Sequence, residues 1–253
     1  MRLTVRACRA PDAATDCRRN AVAWLQVLHR HGIANVTSAQ QDWWTNPDTY
    51  ALLLEDADSG EPMGGVRLQR FGNGIPLPLE VALRRVDPRA LAVLAGCAPR
   101  GVGELCGLWR SPTVAGFGLG ARLTAMGIAL ATQVDIATLF GLCDTRHVTD
   151  NLRLGFQIDT TLARRGRFEY PRPGLTAHVL RIPDARGLPN ASPDVRAAID
   201  GYRRAPGGRE RIRVGPRSLD LTWRLRLSEG ASRPRRASAT KSRPPERLRK
   251  VGA

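Results

Sequence analysis

Residues 104–123 read Glu104-Leu-Cys-Gly-Leu-Trp-Arg-Ser-Pro112-Thr-Val-Ala-Gly116-Phe-Gly118-Leu-Gly120-Ala-Arg-Leu123. The pattern predicts a strand over Gly103 to Trp109, a loop from Ala115 to Gly120, and a helix from Gly120 to Val134. The loop has glycine at three alternate positions. Glycine turns sharply and lets a ligand approach the backbone closely. The first turn of the helix leaves N–H groups unpaired at its positive dipole end. Together these make a cradle for an anion such as a pyrophosphate. Leu119, Leu123, Met126, Leu130 and Val134 fall on one helix face, and Ala121, Ala125, Ile128 and Ala129 make the other sides apolar. Such a helix is mostly buried, which fixes its first turn. The spacing is not the G-x-G-x-x-G of dinucleotide folds, and no G-K-[ST] follows. By itself the loop reads equally well as a close turn packed on a sheet.

Strands are expected over Arg2 to Cys8, Tyr50 to Glu55, Met63 to Phe71, Thr138 to Cys143, around Phe168, and over Thr176 to Ile182. The second and third should form an antiparallel hairpin across Asp56-Ala57-Asp58-Ser59-Gly60. Helices are expected after Pro11-Asp12 with a stop at Gly32, over Asp87 to Leu94, near His147 to Leu154, and over Ser192 to Arg203. Leu219 to Leu227 alternates as a late strand. The class is α/β. At roughly 100–200 residues per domain, 253 residues make one large domain, or one domain with an extension.

No apolar run reaches the ~18 residues of a membrane span. The start, Met1 to Arg6, has no hydrophobic signal region. The five cysteines are odd in number and widely spaced, without a C-x-x-C pair, and the four histidines form no H-x-x-x-H pair. This pattern predicts no disulfide framework and no metal, and a reducing, cytoplasmic setting.

The net charge is +16. Residues 203–253 hold 16 basic and 4 acidic side chains, so most of the excess lies at the end. From Glu229 onward Ser, Pro, Ala and Arg dominate, which predicts a disordered basic tail. Codon usage of a GC-rich genome accounts for its arginines. An arm that contacts nucleic acid or an acidic partner is the alternative reading.

The order of residues around the glycines resembles the GNAT acyltransferase superfamily. That signature places a strand beginning Glu-Leu before R/Q-x-x-G-x-G/A and a helix. Gly118 and Gly120 match the two small loop residues, and Ala115 stands where Arg or Gln is usual. Leu139 to Cys143 and the helix ending in Gly155-Phe156 resemble the superfamily's fifth strand and following helix. The likeness spans Arg2 to Ile182. It divides the chain into a domain over 1–186, an extension over 187–228 and the tail over 229–253.

The resemblance implies a mixed, bent sheet with splayed central strands flanked by helices. It implies acetyl-CoA or another acyl-CoA as co-substrate, with no metal. The pantetheine arm would bond to Leu108, Trp109 and Arg110, and the pyrophosphate to Gly116, Phe117, Gly118, Leu119, Gly120 and Ala121. Glu104 is the expected base toward an amine acceptor, a small molecule or a protein. The alternative is a carboxylate that merely pairs with an arginine. Where the family often has a tyrosine as acid, this chain has Asn151, which cannot protonate a thiolate. Cys143, His147 or water would stand in.

Trp43, Trp44 and Arg67 are expected on the acceptor side, Arg67 as a carboxylate ligand. Arg70 reads as a solvated charge, and Cys106 as a buried hydrophobe or an acyl-accepting thiol. Gly64 to Leu68 and Pro76 to Glu80 faintly resemble the related N-acyl amino acid and acyl-homoserine-lactone synthases, whose donor is often an acyl carrier protein. Their Glu-x-Ser-Arg is absent here. A non-catalytic binding protein on the same scaffold is the rival function.

Overall fold

A computed structural model describes residues 1–39 and 42–228. The tail expected to be disordered lies outside the described residues. β1 (Arg2–Arg9) leads through a 3-10 turn containing Pro11 into α1 (Ala14–Arg30). Cys17, Ala21 and Trp24 bury one stripe of α1, and Gly32 with φ +63° ends it. β2 (Thr49–Asp56) and β3 (Pro62–Arg70) form the expected hairpin. In its turn Asp56 accepts hydrogen bonds from the amides of Asp58 and Ser59. There follow α2 (Pro78–Leu83), α3 (Ala90–Cys97), β4 (Val102–Arg110), α4 (Leu119–Ala131), β5 (Thr138–Asp144) and α5 (Val148–Arg153). The chain continues with β6 (Gln157–Ile158), β7 (Arg167–Glu169), β8 (Thr176–Ile182), α6 (Pro193–Arg204), β9 (Gly207–Val214) and β10 (Arg217–Arg224).

The strands join in one mixed sheet in the order β6-β8-β5-β4-β3-β2-β1-β10-β9, with β7 paired to β8. β1 with β10 and β4 with β5 are parallel, and the other pairs are antiparallel. α4 and α6 cover one face over a continuous apolar core that takes in Leu52, Leu68, Leu105, Leu123, Met126 and Leu180. α1 covers part of the other face over Ala51 and Leu53, and α2 and α3 cover another part over Val102 and Phe140.

Three elements depart from the pattern reading. The helix expected from Asp87 starts at Ala90, because the Asp87 carboxylate accepts from the Arg89 amide and holds a turn there. α2 is only six residues long, too short to show a period. β9 reads as polar, since Arg209, Arg211 and Arg213 point to solvent and only Ile212 is buried. It is an edge strand, and its charges discourage pairing with another chain. Residues 187–228 supply α6 and the β9–β10 hairpin, which hydrogen-bonds to β1.

Leu221 of β10 is 1% exposed within the main core. Leu221→Ala should therefore cost about 2–5 kcal/mol. Urea unfolding should show that loss in a single transition for the whole chain. A separate early transition would mean that the hairpin unfolds on its own.

Candidate functional site

β4 pairs with β5 at only three positions, Val102 with Thr138, Gly103 with Leu139 and Glu104 with Phe140. Beyond them β4 runs on to Arg110 bonded to β3 alone, while β5 turns toward β8. The sheet is therefore open between the two strands from Leu105 onward, with backbone groups of β4 facing the gap. Within that stretch Gly107 has φ +65°, and the β3–β4 register slips by one residue between Gly65 and Arg67. This is a β-bulge, and only glycine adopts such a φ without strain.

The bulge changes which side chains face inward. Strict alternation puts Glu104, Cys106 and Leu108 on one face. Instead Leu108 is 46% exposed and Trp109 takes the inward position. The Trp109 indole Nε1 donates to Asn20 Oδ1 of α1 at 2.8 Å, and Asn20 Nδ2 donates to the Gly64 carbonyl at 2.7 Å. Arg110 is exposed beside Leu108 at the gap.

On the face toward α1 and α2, two cross-strand rows lie side by side. One is Thr49, Gln69 and Glu104, and the other is Ala51, Arg67 and Cys106. Glu104 is fully buried, and its Oε2 accepts from the Leu79 amide of α2 at 2.7 Å. Burial pushes its pKa up to about 8, against the opposing pull of that amide and of the Arg67 charge. Arg67 is buried with its Nε 3.3 Å from Cys106 Sγ and its guanidinium 4.9 Å from the centre of the Trp43 ring. Burial holds the Cys106 thiol up at about 12, so it keeps its proton and is a poor nucleophile. Trp44 stands edge-on to Trp43 and packs over Ala51 and Leu53. Arg70, three residues from Arg67, falls on the opposite sheet face by alternation.

The glycine loop follows β4 directly. Gly116 and Gly118 have φ +88° and +68°, and Gly118 caps α4 with no side-chain partner for the first-turn amides. Those amides of Leu119, Gly120 and Ala121 are free to meet an anion. Two arginines flank them. Arg122 donates to the Phe117 carbonyl at 3.2 Å and to Glu210 of β9 at 2.9 Å. Arg217 of β10 donates to the Ala115 carbonyl at 3.2 Å and lies 4.8 Å over the Phe117 ring.

Cys143 lies on the splayed end of β5, and burial with the Asp144 charge raises its thiol to about 12. Asn151 is half-buried and donates to the His147 carbonyl at 2.8 Å, while His147 Nδ1 lies 2.9 Å from Asp144. The sequence reading passed over Asn20, Arg217 and Tyr170. The Tyr170 hydroxyl accepts from the Thr37 amide at 2.5 Å, and burial raises its pKa, with the charges of Glu104 and Cys106 adding to that rise. No local pattern marks these three, because each meets the site from a distant element. Among the described residues no group of three His, Cys, Asp or Glu side chains is placed to hold a metal ion. No described helix is long and apolar enough to cross a membrane.

Neither family models nor curated proteins match the chain. Solved structures do. FeeM, an N-acyl amino acid synthase from uncultured soil microbes, aligns over 77% of this chain and 99% of its own, with TM-score 0.51 and 14% identity. The fold is that of the GNAT acyltransferases. Weaker likenesses are the CoA-dependent acyl-homoserine lactone synthase BjaI and a GNAT-family acetyltransferase from Streptococcus pneumoniae. BjaI has TM-score 0.48 and 13% identity, covering 87% of this chain and 93% of its own. The acetyltransferase has TM-score 0.42 and 17% identity, covering 71% and 98%. Against the GNAT pattern, the strand gap and glycine loop are present, while Ala115 and Asn151 lack the usual side chains.

Glu104 has an ordinary pKa of 4.5 and a folded value of about 8. Between those values the folded chain binds the extra proton, so this contribution is full below the lower value and falls as pH rises through the window. Wild-type protein should lose on the order of a few kcal/mol more than Glu104→Gln between about pH 5 and pH 8. Parallel stability curves from urea melts would show that Glu104 is ionised in the fold.

Proposed function

We propose that the chain is an N-acyltransferase that moves an acyl group from acyl-CoA, or another acyl-pantetheine thioester, to an amine. The observation that carries this reading is the gap between β4 and β5 with a buried, high-pKa carboxylate on one side and a glycine loop at its end. The thioester arm lies in the gap along Leu108 to Arg110. The pyrophosphate rests on the amides of Gly116 to Ala121, with Arg217 supplying the positive charge that Ala115 lacks.

Glu104 takes a proton from the acceptor ammonium, and the freed amine attacks the thioester carbonyl carbon. The C–N bond forms, the C–S bond breaks, and the thiolate leaves with the electron pair. The new amide nitrogen sheds its surplus proton, and the thiolate gains one. Cys143 is a candidate for that donor in place of Asn151, since its thiol holds its proton at neutral pH. A base near pKa 8 is well matched to the task, because its driving force and its ionised fraction are both useful near neutral pH. Long acyl chains and an acyl carrier protein as donor fit the same gap. The exposed arginines near the loop suit an acidic carrier.

Calorimetric titration with acetyl-CoA and longer acyl-CoAs tests the reading. Gly118→Val puts a branched side chain where a Cβ already meets Arg122 Nη1 at 2.9 Å, in a left-handed backbone. It should weaken binding at least tenfold, about 1.4 kcal/mol. Wild-type protein that binds no CoA would overturn the acyltransferase. In a free-thiol assay, Glu104→Gln should slow transfer by roughly 10²–10⁴ with CoA affinity nearly unchanged. A variant with wild-type turnover would return Glu104 to a structural role.

A further inference from the structure

All five cysteines are free thiols, and two of them meet. Cys8 Sγ of β1 lies 3.9 Å from Cys17 Sγ near the start of α1, in hydrogen-bond contact. Cys8 Sγ is also 3.8 Å from the Ala51 carbonyl of β2, which accepts its proton. No other two cysteines among the described residues are in such contact. Cys17 is fully buried and Cys8 is half-buried, so one sulfur is shielded and a small solute reaches the other. Ala10, Ala51 and Leu53 wall the pair, and Trp43 and Trp44 pack against the same cluster. The acyl-transfer chemistry uses neither thiol.

The thiolate is the reactive form of cysteine. Arg6 stands two residues before Cys8 on the same face of β1. Cys8 is held below the ordinary thiol range, first by the hydrogen bond it accepts from Cys17 and then by the Arg6 charge, against burial and the carboxylates of Asp16 and Glu55. The same bond, together with burial, pushes the Cys17 thiol up, so Cys17 keeps its proton. Burial holds the Cys106 and Cys143 thiols up at about 12. An accessible thiol of lowered pKa beside a second cysteine is the arrangement that responds to oxidants.

We propose that Cys8 and Cys17 form a reversible oxidation site, at which a peroxide oxidises Cys8 and Cys17 then closes a disulfide onto it. This stands independently of the acyl-transfer reading. The Cys8 thiolate attacks one peroxide oxygen. The S–O bond forms, the O–O bond breaks, and the leaving oxygen takes the electron pair and a proton from water. The Cys17 sulfur then attacks the Cys8 sulfenic sulfur. The S–S bond forms, the S–O bond breaks, and hydroxide leaves with the Cys17 proton as water. In sum the two thiols are oxidised to a disulfide and the peroxide is reduced. A disulfide is about 2.05 Å long, so the sulfurs close by about 2 Å, and Cys8 gives up the Ala51 carbonyl.

The pair is placed to act on the gap. Cys17, Asn20, Ala21 and Trp24 share the buried stripe of α1. Asn20, one turn beyond Cys17, holds Trp109 and the Gly64 carbonyl, and with them the free end of β4. On the sheet, Cys8 stands opposite Ala51, and Ala51 stands opposite Arg67. Oxidation draws Cys17 toward β1, and a helix turn passes that pull to Asn20 because its backbone hydrogen bonds keep it rigid.

The test uses the full chain, reduced with dithiothreitol, freed of it, and treated with hydrogen peroxide while folded. Alkylation under denaturing conditions, read by intact mass, should count five alkyl groups before treatment and two fewer after it. Trypsin cuts after Arg6, Arg9 and Arg18, so the link should appear as peptide 7–9 joined to peptide 10–18 and vanish on renewed reduction. In Cys17→Ala the reaction should stop at a sulfenic acid on Cys8, trapped by dimedone. The wild-type peptide map needs no variant, so it decides even if Cys17→Ala fails to fold. Tryptophan emission should shift on oxidation of the wild type and return on reduction, with no shift in Cys8→Ser. The oxidation site is overturned if five alkyl groups remain after peroxide, if the link joins other cysteines, or if Cys97 or Cys143 is oxidised ahead of Cys8. A link that forms with unchanged tryptophan emission overturns the pull on Asn20.

Discussion

Everything in the site follows from how little of β4 is held on its β5 side. Three parallel pairs, ending at Glu104 and Phe140, fix the base of the strand. After that, β4 hangs from β3 alone, and the bulge at Gly107 twists it. The extra residue turns Leu108 out to the gap and Trp109 in toward Asn20. That indole–amide bond ties the free end of β4 to α1, so the gap is open but not loose. The loop and α4 begin directly after it. One strand therefore sets a slot, a carboxyl group and a glycine loop at fixed places relative to each other.

The two sheet faces are packed differently. Under α4 and α6 the core is continuous and apolar. Under α1 and α2 it is split into two clusters, one around Ala51 and Leu53 and one around Val102 and Phe140. The rows containing Gln69, Glu104, Arg67 and Cys106 lie in the seam between them. Filling that seam with aliphatic residues would be the more stable choice, since paired or bare ions repay burial poorly. A neutral carboxyl and, among the described residues, a guanidinium without a carboxylate partner lie side by side there, at a cost in stability.

The fold was legible where the chain punctuates itself. The hairpin over β2 and β3, the loop before α4, and β8 all carry local signals in glycine, aspartate and period-2 alternation. The position of Glu104 was legible too, because it stands at the head of a strand that runs into glycines. The bulge was not, since a glycine in a strand announces a possible bulge but not which neighbour turns inward. Asn20 and Tyr170 were silent for a simpler reason: their partners lie 89 and 133 residues away in the chain. Likewise, Arg67 looked like one arginine among many. Only its burial, with no carboxylate of the described residues in salt-bridge contact, sets it apart.

The same distance governs the loop. GNAT sequences place an arginine or glutamine where this chain has Ala115, inside the loop itself. Here a guanidinium reaches the Ala115 carbonyl from β10, 102 residues later. A second arginine, Arg122, is anchored by Glu210 of β9. Both positions exist only because β10 pairs in parallel with β1 and carries β9 along its outer edge. The positive charge at the loop is thus set by the hairpin's docking on β1, not by the loop's own sequence. A change that shifts the hairpin would move charge at the mouth of the gap without touching a glycine. The loop's backbone geometry and its electrostatics are held by separate parts of the chain, so mutations can alter one while the other stays intact.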